Sequence, residues 1–218
     1  MQSVFAGIQQ VGIGVSDVEQ AYQWYKKHFG MDIPMFRDSA EAKLMVCYTG
    51  GEAHRRTAYL ALNVAGGAGF EIWQYTSRKP QPASFPITLA TAGIVAVKMK
   101  TRSLPQAANF FEKQHVNILQ KNIDHSPFKS LWLTDPYGNL FQCVEDANWF
   151  SEPISEASTG GVVGAVIAVR DMEKALAFYK NVLNLDQVVY DISGVFEDLK
   201  SVPGGNVPMR RVLLTQSK

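Results

Sequence analysis

The stretch Gln10-Val-Gly-Ile-Gly-Val-Ser-Asp-Val-Glu-Gln-Ala-Tyr-Gln-Trp-Tyr25 decides the fold, because the chain repeats it as Gly164-Ala-Val-Ile-Ala-Val-Arg-Asp-Met-Glu-Lys-Ala-Leu-Ala-Phe-Tyr179. A gapless alignment of the two copies pairs identical residues on both sides of the central aspartate. These pairs are Ile13/Ile167, Val15/Val169, Asp17/Asp171, Glu19/Glu173, Ala21/Ala175, Tyr25/Tyr179 and Lys26/Lys180. Composition alone produces few identities in such a window, so we interpret the two copies as repeated modules.

Each copy has the pattern of a strand followed by a helix. Val11, Ile13 and Val15 alternate with smaller residues, which is typical of a strand. Asp17 then has the position of a helix N-cap, and Gly30 that of a C-terminal stop. A weaker middle copy begins with Ile94-Val-Ala-Val-Lys-Met99 and continues with a helix capped by Ser103. The pattern therefore predicts three modules.

Further strands complete the unit. Apolar runs predict strands at Leu44–Tyr48, Thr57–Leu62, Phe70–Tyr75, Ser130–Thr134 and Leu140–Val144. The turn Asp135-Pro-Tyr-Gly-Asn139 separates the last two runs.

We therefore expect an α+β fold of tandem βαβββ modules that form a paired, cup-shaped mixed sheet. Modules at about 8–76 and 92–146 would form one paired domain over 1–148, followed by a linker over 149–161. A third, truncated module would cover 162–218, since the counterpart of its last strand would lie beyond Lys218. We expect the chain to be a fragment of a four-module protein, unless another chain supplies that strand.

Composition narrows the class of protein. The 218 residues are 46% hydrophobic and carry a net charge of +1, which gives no reason to expect a nucleic-acid or membrane-surface partner. No apolar run has the length of a spanning helix, and the N-terminal sequence lacks a secretory signal. Two cysteines, Cys47 and Cys143, are expected to be reduced and buried in a cytoplasmic protein.

The repeated opening motif, the glutamate in Phe70-Glu-Ile-Trp73 and the Asp135–Asn139 turn resemble the vicinal oxygen chelate superfamily. This is the group of glyoxalase I, bleomycin resistance proteins and extradiol dioxygenases. The resemblance implies that two paired modules enclose a cup with the site inside. In its metal-using members, the first and last strands of each module supply the ligands of a divalent ion, which acts as a Lewis acid.

Transferring those positions to this chain gives Gln10 and Glu71 in the first module, and Ala96 and Gln142 in the second. The implied metal ligands are thus Gln10, Glu71 and Gln142, and Glu71 is also the candidate catalytic base. Gly164 has the corresponding place in the third module, which counts against an extradiol dioxygenase. The candidate substrate-binding residues are Trp73, Tyr75, Arg55 and His125.

Three functional hypotheses remain open at this point, and the third of them is a degenerate paralogue whose activity lies wholly in further C-terminal modules. The first is a glyoxalase-like lyase or isomerase, similar to lactoylglutathione lyase, with a partial site for zinc, nickel, manganese or iron. The second is a metal-free small-molecule binder of the bleomycin resistance type, because one carboxylate and two amides form a weak divalent site. In the first two cases the expected partner is a small organic molecule. The sequence leaves open whether modules pair within one chain or across a homodimer.

Overall fold

The computed structural model describes residues 7–124 and 128–216. Module one has four strands and one helix, and its sheet has the strand order β1-β4-β3-β2. Strand β1 lies at one edge, parallel to β4, and the other pairs are antiparallel. The elements are β1 (Gln10–Gly14), α1 (Val18–Phe29), β2 (Ile33–Glu41), β3 (Arg55–Leu62) and β4 (Gly69–Tyr75).

Module two repeats this arrangement, with its first strand again parallel to its last. Its elements are β5 (Gly93–Thr101), α2 (Leu104–Lys113), β6 (Asn117–Asn122), β7 (Ser130–Thr134) and β8 (Leu140–Glu145). The two sheets thus have the same topology, which confirms the predicted βαβββ unit.

Module three consists of β9 (Thr159–Ala168), α3 (Met172–Asn181), β10 (Gln187–Gly194) and β11 (Met209–Thr215). Strand β9 begins inside the range 149–161 that we interpreted as a linker. It joins the sheet of module two beside β5, whereas β10 and β11 form a separate antiparallel pair. In residues 7–124 and 128–216, no strand lies between β9 and β11, where β4 and β8 lie in the other modules. This confirms that the third module is incomplete.

The helix ends follow the predicted capping residues. Asp17 and Asp171 each accept a hydrogen bond from the backbone N–H three residues later, at 3.0 Å in both helices. Ser103 does the same for α2 at 3.4 Å. Gly30 ends α1 with a φ of 63°, in the left-handed region that favours glycine.

Modules one and two share one hydrophobic core. Phe29 of α1 packs against Phe111 of α2 and Phe141 of β8, with ring centroids 5.9 and 4.8 Å apart. The Tyr25 hydroxyl donates to Asp135 Oδ2 at 2.5 Å, so a buried hydrogen bond also joins the two modules. These contacts lie on the helix-bearing faces of the two sheets, and the concave faces point away from this core.

The pairing of modules differs from the sequence-based expectation. Strands β5 and β9 pair antiparallel, so module two forms its cup with module three rather than with module one. The physical reason is that edge pairing uses backbone N–H and C=O groups, which every strand carries. The side-chain patterns of the three modules were therefore unable to indicate which edges meet.

Two local predictions were also wrong. Residues Lys43–Tyr48 form a 3₁₀ helix rather than a strand, and Leu44 and Tyr48 are 94% and 79% exposed. The strand of this region is β2, whose polar residues lie at an exposed edge and lack apolar alternation. Cys143 is buried as expected, but Cys47 is exposed because it lies in the same 3₁₀ helix.

Among the described residues, no helix combines the length and the apolar composition needed to cross a bilayer.

Candidate functional site

The concave face of module one brings together two of the predicted site residues. The strand register places Gly12 of β1 and Leu60 of β3 on either side of Glu71. Phe70 and Ile72 point into the core and are fully buried, so the alternation along β4 turns Glu71 to the opposite face. Gln10 Nε2 lies 3.0 Å from Glu71 Oε2 and donates to it.

An arginine completes this cluster. Arg56 Nη2 lies 3.5 Å from Glu71 Oε1, and the side chains of Arg56 and Glu71 are 36% and 24% exposed. The carboxylate therefore has an amide on one oxygen and a guanidinium on the other. Such a carboxylate stays accessible to a ligand from the open side of the sheet.

Trp73 and Tyr75 extend the same face along β4. Their rings meet edge to face with centroids 5.1 Å apart, and the Arg78 guanidinium lies 4.1 Å from the Tyr75 centroid. A Cβ atom at Gly14 would be only 3.3 Å from the Trp73 ring, so this glycine leaves room for the indole. The result is an aromatic surface beside Glu71 that suits a flat organic molecule.

The other predicted contact residues are not part of this cluster. Arg55 is exposed at the start of β3, one residue out of phase with Arg56, and its backbone N–H donates to Ser77 Oγ at 2.9 Å. Two adjacent arginines differ only in which face of the strand they occupy, and the sequence did not indicate the register. His125 lies outside the described residues.

Gln142 occupies a different concave face, that of module two. Its Oε1 accepts a hydrogen bond of 2.6 Å from Lys98 Nζ. The prediction that Gln10, Glu71 and Gln142 form one site is therefore corrected. The cause is the module pairing, since β8 faces module three and β4 does not.

The cup between modules two and three contains a cavity of about 560 Å³. Lys98 lines it, and burial is the main cause that lowers the pKa of this amine from 10.5 to about 8. The nearby Arg211 guanidinium lowers the pKa further, whereas Asp198 acts in the opposite direction. Arg211 Nη1 binds both carboxylate oxygens of Asp198, at 2.8 and 3.0 Å.

Sequence reasoning missed Lys98 because the search of this strand was for metal ligands. The available signal was a lysine inside the apolar run Ile94–Met99. A charged residue in a half-buried strand requires either solvent or a partner, and this requirement marks it as a candidate site residue.

The concave faces of modules one and two differ in how well their side chains fit a divalent metal. Within residues 7–124 and 128–216, no three His, Cys, Asp or Glu side chains come together as a ligand group. In the module-two cup an ammonium occupies the space beside Gln142, so these residues do not fit a cation. On module one, Glu71 and Gln10 are two adjacent oxygen-bearing side chains that fit half of a ligand set, although a bound ion would have to displace the Gln10 amide nitrogen and the Arg56 guanidinium that contact the carboxylate.

Comparisons with known proteins agree with this architecture. The family model of the Glyoxalase/Bleomycin resistance protein/Dioxygenase superfamily matches residues 7–143. The chain belongs to this superfamily.

Solved structures of this superfamily's fold include a putative dioxygenase from Bacillus subtilis, with a TM-score of 0.56 and 13% identity over 97% of this chain and 67% of that one. Glyoxalase I from Zea mays has a TM-score of 0.50 and 11% identity, and the match covers 97% of this chain and 69% of that one. A glyoxalase family protein from Bacillus cereus has a TM-score of 0.52 and 10% identity, and the match covers 67% of this chain and 98% of that one. At these identities the likeness shows the fold alone, and no curated protein matches the chain.

Proposed function

We propose that the chain is a glyoxalase-like lyase or isomerase for small organic molecules, with half of a divalent metal site on the concave face of module one. The observation that carries the proposal is the contact between Gln10 Nε2 and Glu71 Oε2, 3.0 Å apart. This contact lies beside β1, whose free edge has room for a strand of another module.

The pairing of β5 with β9 supports a second module beside β1, because β5 and β9 are the first strands of modules two and three and they pair edge to edge. Lys98 pairs with Gly164 and Ala96 pairs with Val166, so the contact is reciprocal. Ala96 and Gly164 each precede their helix cap by the same spacing as Gln10 precedes Asp17. The same pairing applied to β1 would bring a second module's ligands opposite Gln10 and Glu71.

A second copy of the chain is the simplest source of that module. Two module-one faces related by a two-fold axis would contribute two Gln10–Glu71 pairs, which is four oxygen-bearing side chains. We therefore infer that the metal-binding form is a homodimer in which β1 pairs with β1 of the partner.

A bound divalent ion would supply Lewis-acid polarisation of a substrate oxygen. The chain's own residues perform the remaining tasks. Glu71 is the group that moves a proton, and the Arg56 guanidinium, 3.5 Å away, orients its carboxylate. Trp73 and Tyr75 bind the apolar part of the substrate and exclude water from that side of Glu71.

The alternative, a metal-free binder, also has one specific observation in its favour. The Arg56 guanidinium neutralises Glu71 without a metal, so the face can hold a ligand through Trp73 and Tyr75 alone. Metal binding by the purified protein discriminates between the two functions.

The test is a titration of the metal-free chain with manganese, nickel, zinc and ferrous iron, followed by elemental mass spectrometry of the desalted protein. Glu71→Gln removes the carboxylate, and Glu112→Gln on the exposed surface of α2 is the matched control. We expect metal to remain bound to the wild type and to Glu112→Gln, and to be lost from Glu71→Gln. Equal metal contents in the two variants would show that Glu71 is not a ligand, and no bound metal in the wild type would support the metal-free function.

A further inference from the structure

A row of polar side chains crosses the concave face of module two. The register aligns Trp132 of β7 with Gln142 of β8, Gln142 with Lys98 of β5, and Lys98 with Gly164 of β9. A Cβ atom at Gly164 would lie 3.1 Å from Lys98 Cδ, so the glycine leaves room for the lysine stem. The row therefore places Lys98 Nζ inside the cup and beside Gln142 Oε1.

Hydrogen-bond donors outnumber acceptors in this row. Trp132 is 1% exposed and lines the cavity, and its Nε1 has no acceptor in the described parts of the chain. Lys98 Nζ carries three donors, and its hydrogen bond within 7–124 and 128–216 is the one to Gln142 Oε1. Trp132 Nε1 is too enclosed to meet a ligand in the cavity, whereas Lys98 Nζ is half-buried and keeps two further N–H donors, which fit a ligand with acceptor oxygens.

The charge around the cavity favours an anion. Its described lining includes four cationic side chains and no aspartate or glutamate: Lys98, Arg170, Arg210 and Arg211. Arg211 binds Asp198, and Arg210 binds Asp191 and Glu173. Lys98 has a neutral amide as its partner, and Arg170 forms no ion pair with the described carboxylates, so these two cations of the lining are not neutralised. The charge of Lys98 is matched by a single carboxylate.

The remaining wall of the cavity is apolar. Leu199 is buried beneath it, and Val166, Tyr190 and Met209 also line it. A volume of about 560 Å³ is within the range of roughly 300–1,000 Å³ that small-molecule sites occupy. The ligand thus combines an acidic head with an apolar body.

We propose that the cup between modules two and three is a second, metal-free site that binds a small organic monocarboxylate through Lys98 Nζ. This site is independent of the function proposed for module one, because the two concave faces belong to different sheets. Gln142 holds the ammonium in place, and the apolar wall selects the body of the ligand.

The test is isothermal titration of the full chain with three monocarboxylates, 2-naphthoate, 3-phenylpropanoate and 4-methylpentanoate, and with the primary amide of each. We expect at least one carboxylate to bind about tenfold more tightly than its amide, because a hydrogen bond to a charged group contributes about 1.5–3 kcal/mol. Lys98→Met should remove this preference.

Two further variants make the result decisive. Lys100→Met replaces a lysine on the same strand whose amine donates to Asn148 O, so it should leave carboxylate binding unchanged. Gln142→Glu places a carboxylate beside the ammonium and should abolish binding by competing for it, while Lys98 itself is retained. The proposal is overturned if acids and amides bind equally, if none of the three acids binds, or if Gln142→Glu retains wild-type affinity.

Discussion

At the scale of single residues, the concave faces of modules one and two differ at two equivalent positions. The last strand carries Glu71 in module one and Gln142 in module two, at equivalent places in the register. The first strand carries Gly12 beside Glu71 and Lys98 beside Gln142. The carboxylate beside a glycine has its cationic partner, Arg56, on the neighbouring strand β3, whereas the amide beside a lysine has an ammonium from the first strand itself.

Burial of Lys98 predicts that Lys98→Met stabilises the protein at neutral pH. The folded-state pKa of about 8 lies below the ordinary value of 10.5, so folding opposes protonation of this amine. The cost is fully present below pH 8 and disappears as the pH rises toward 10.5. We expect the variant to gain on the order of 2 kcal/mol at pH 7, with a smaller gain at pH 10.

Urea unfolding of the wild type and of Lys98→Met at both pH values measures this difference. Two results would contradict the account: a variant less stable than the wild type at pH 7, or a gain that does not change between pH 7 and pH 10.

At the scale of elements, the helices and strands that local chemistry specifies could be predicted from the sequence. Asp17, Ser103 and Asp171 cap the three helices as expected, and β4 and β8 coincide with the apolar runs that indicated them. Strand β2 could not be predicted, because an exposed edge strand needs no apolar alternation and its pairing with β3 is formed by the backbone. Glu71 was identified through the resemblance of Phe70-Glu-Ile-Trp73 to the closing strand of the superfamily.

The repeated caps predict a matched pair of stability losses. In Asp17→Ala and Asp171→Ala, the backbone N–H of Gln20 or Lys174 loses an acceptor at 3.0 Å. Each variant should lose about 1 kcal/mol of unfolding free energy. Ser16→Ala, one residue before the first cap, is the control and should change stability little. Chemical denaturation tests all three, and an unaltered midpoint for Asp17→Ala would show that the cap does not stabilise α1.

At the scale of the whole molecule, glycines set the contact between module one and the strand that module three contributes. A Cβ atom at Gly66 would lie 1.5 Å from the carbonyl oxygen of Gly160, and one at Gly161 would lie 2.0 Å from that of Gly67. The Asn63 side chain spans the same junction and donates to Thr159 O at 3.0 Å. The sequence indicated turns at these glycines, but their mutual approach depends on tertiary packing.

From the close packing at this junction, we expect a single added methyl group to lower the stability of the protein strongly. Gly66→Ala forces the β3–β4 turn away from Gly160 and should cost about 3 kcal/mol, with loss of cooperative unfolding between the modules. Gly12→Ala is the matched control, because its Cβ atom would be at an ordinary 3.8 Å from Trp73 Nε1. Calorimetry distinguishes the outcomes, and a wild-type unfolding profile for Gly66→Ala would contradict the close packing.

The central claim is that the two concave faces have separate chemistry, with metal binding confined to module one. The most direct test is an anomalous difference map from crystals of the chain grown with manganese. The account predicts a peak within about 2.0–2.3 Å of the Glu71 carboxylate, at the β1 edge. A peak beside Gln142 and Lys98, or a map without a peak at Glu71, would contradict it.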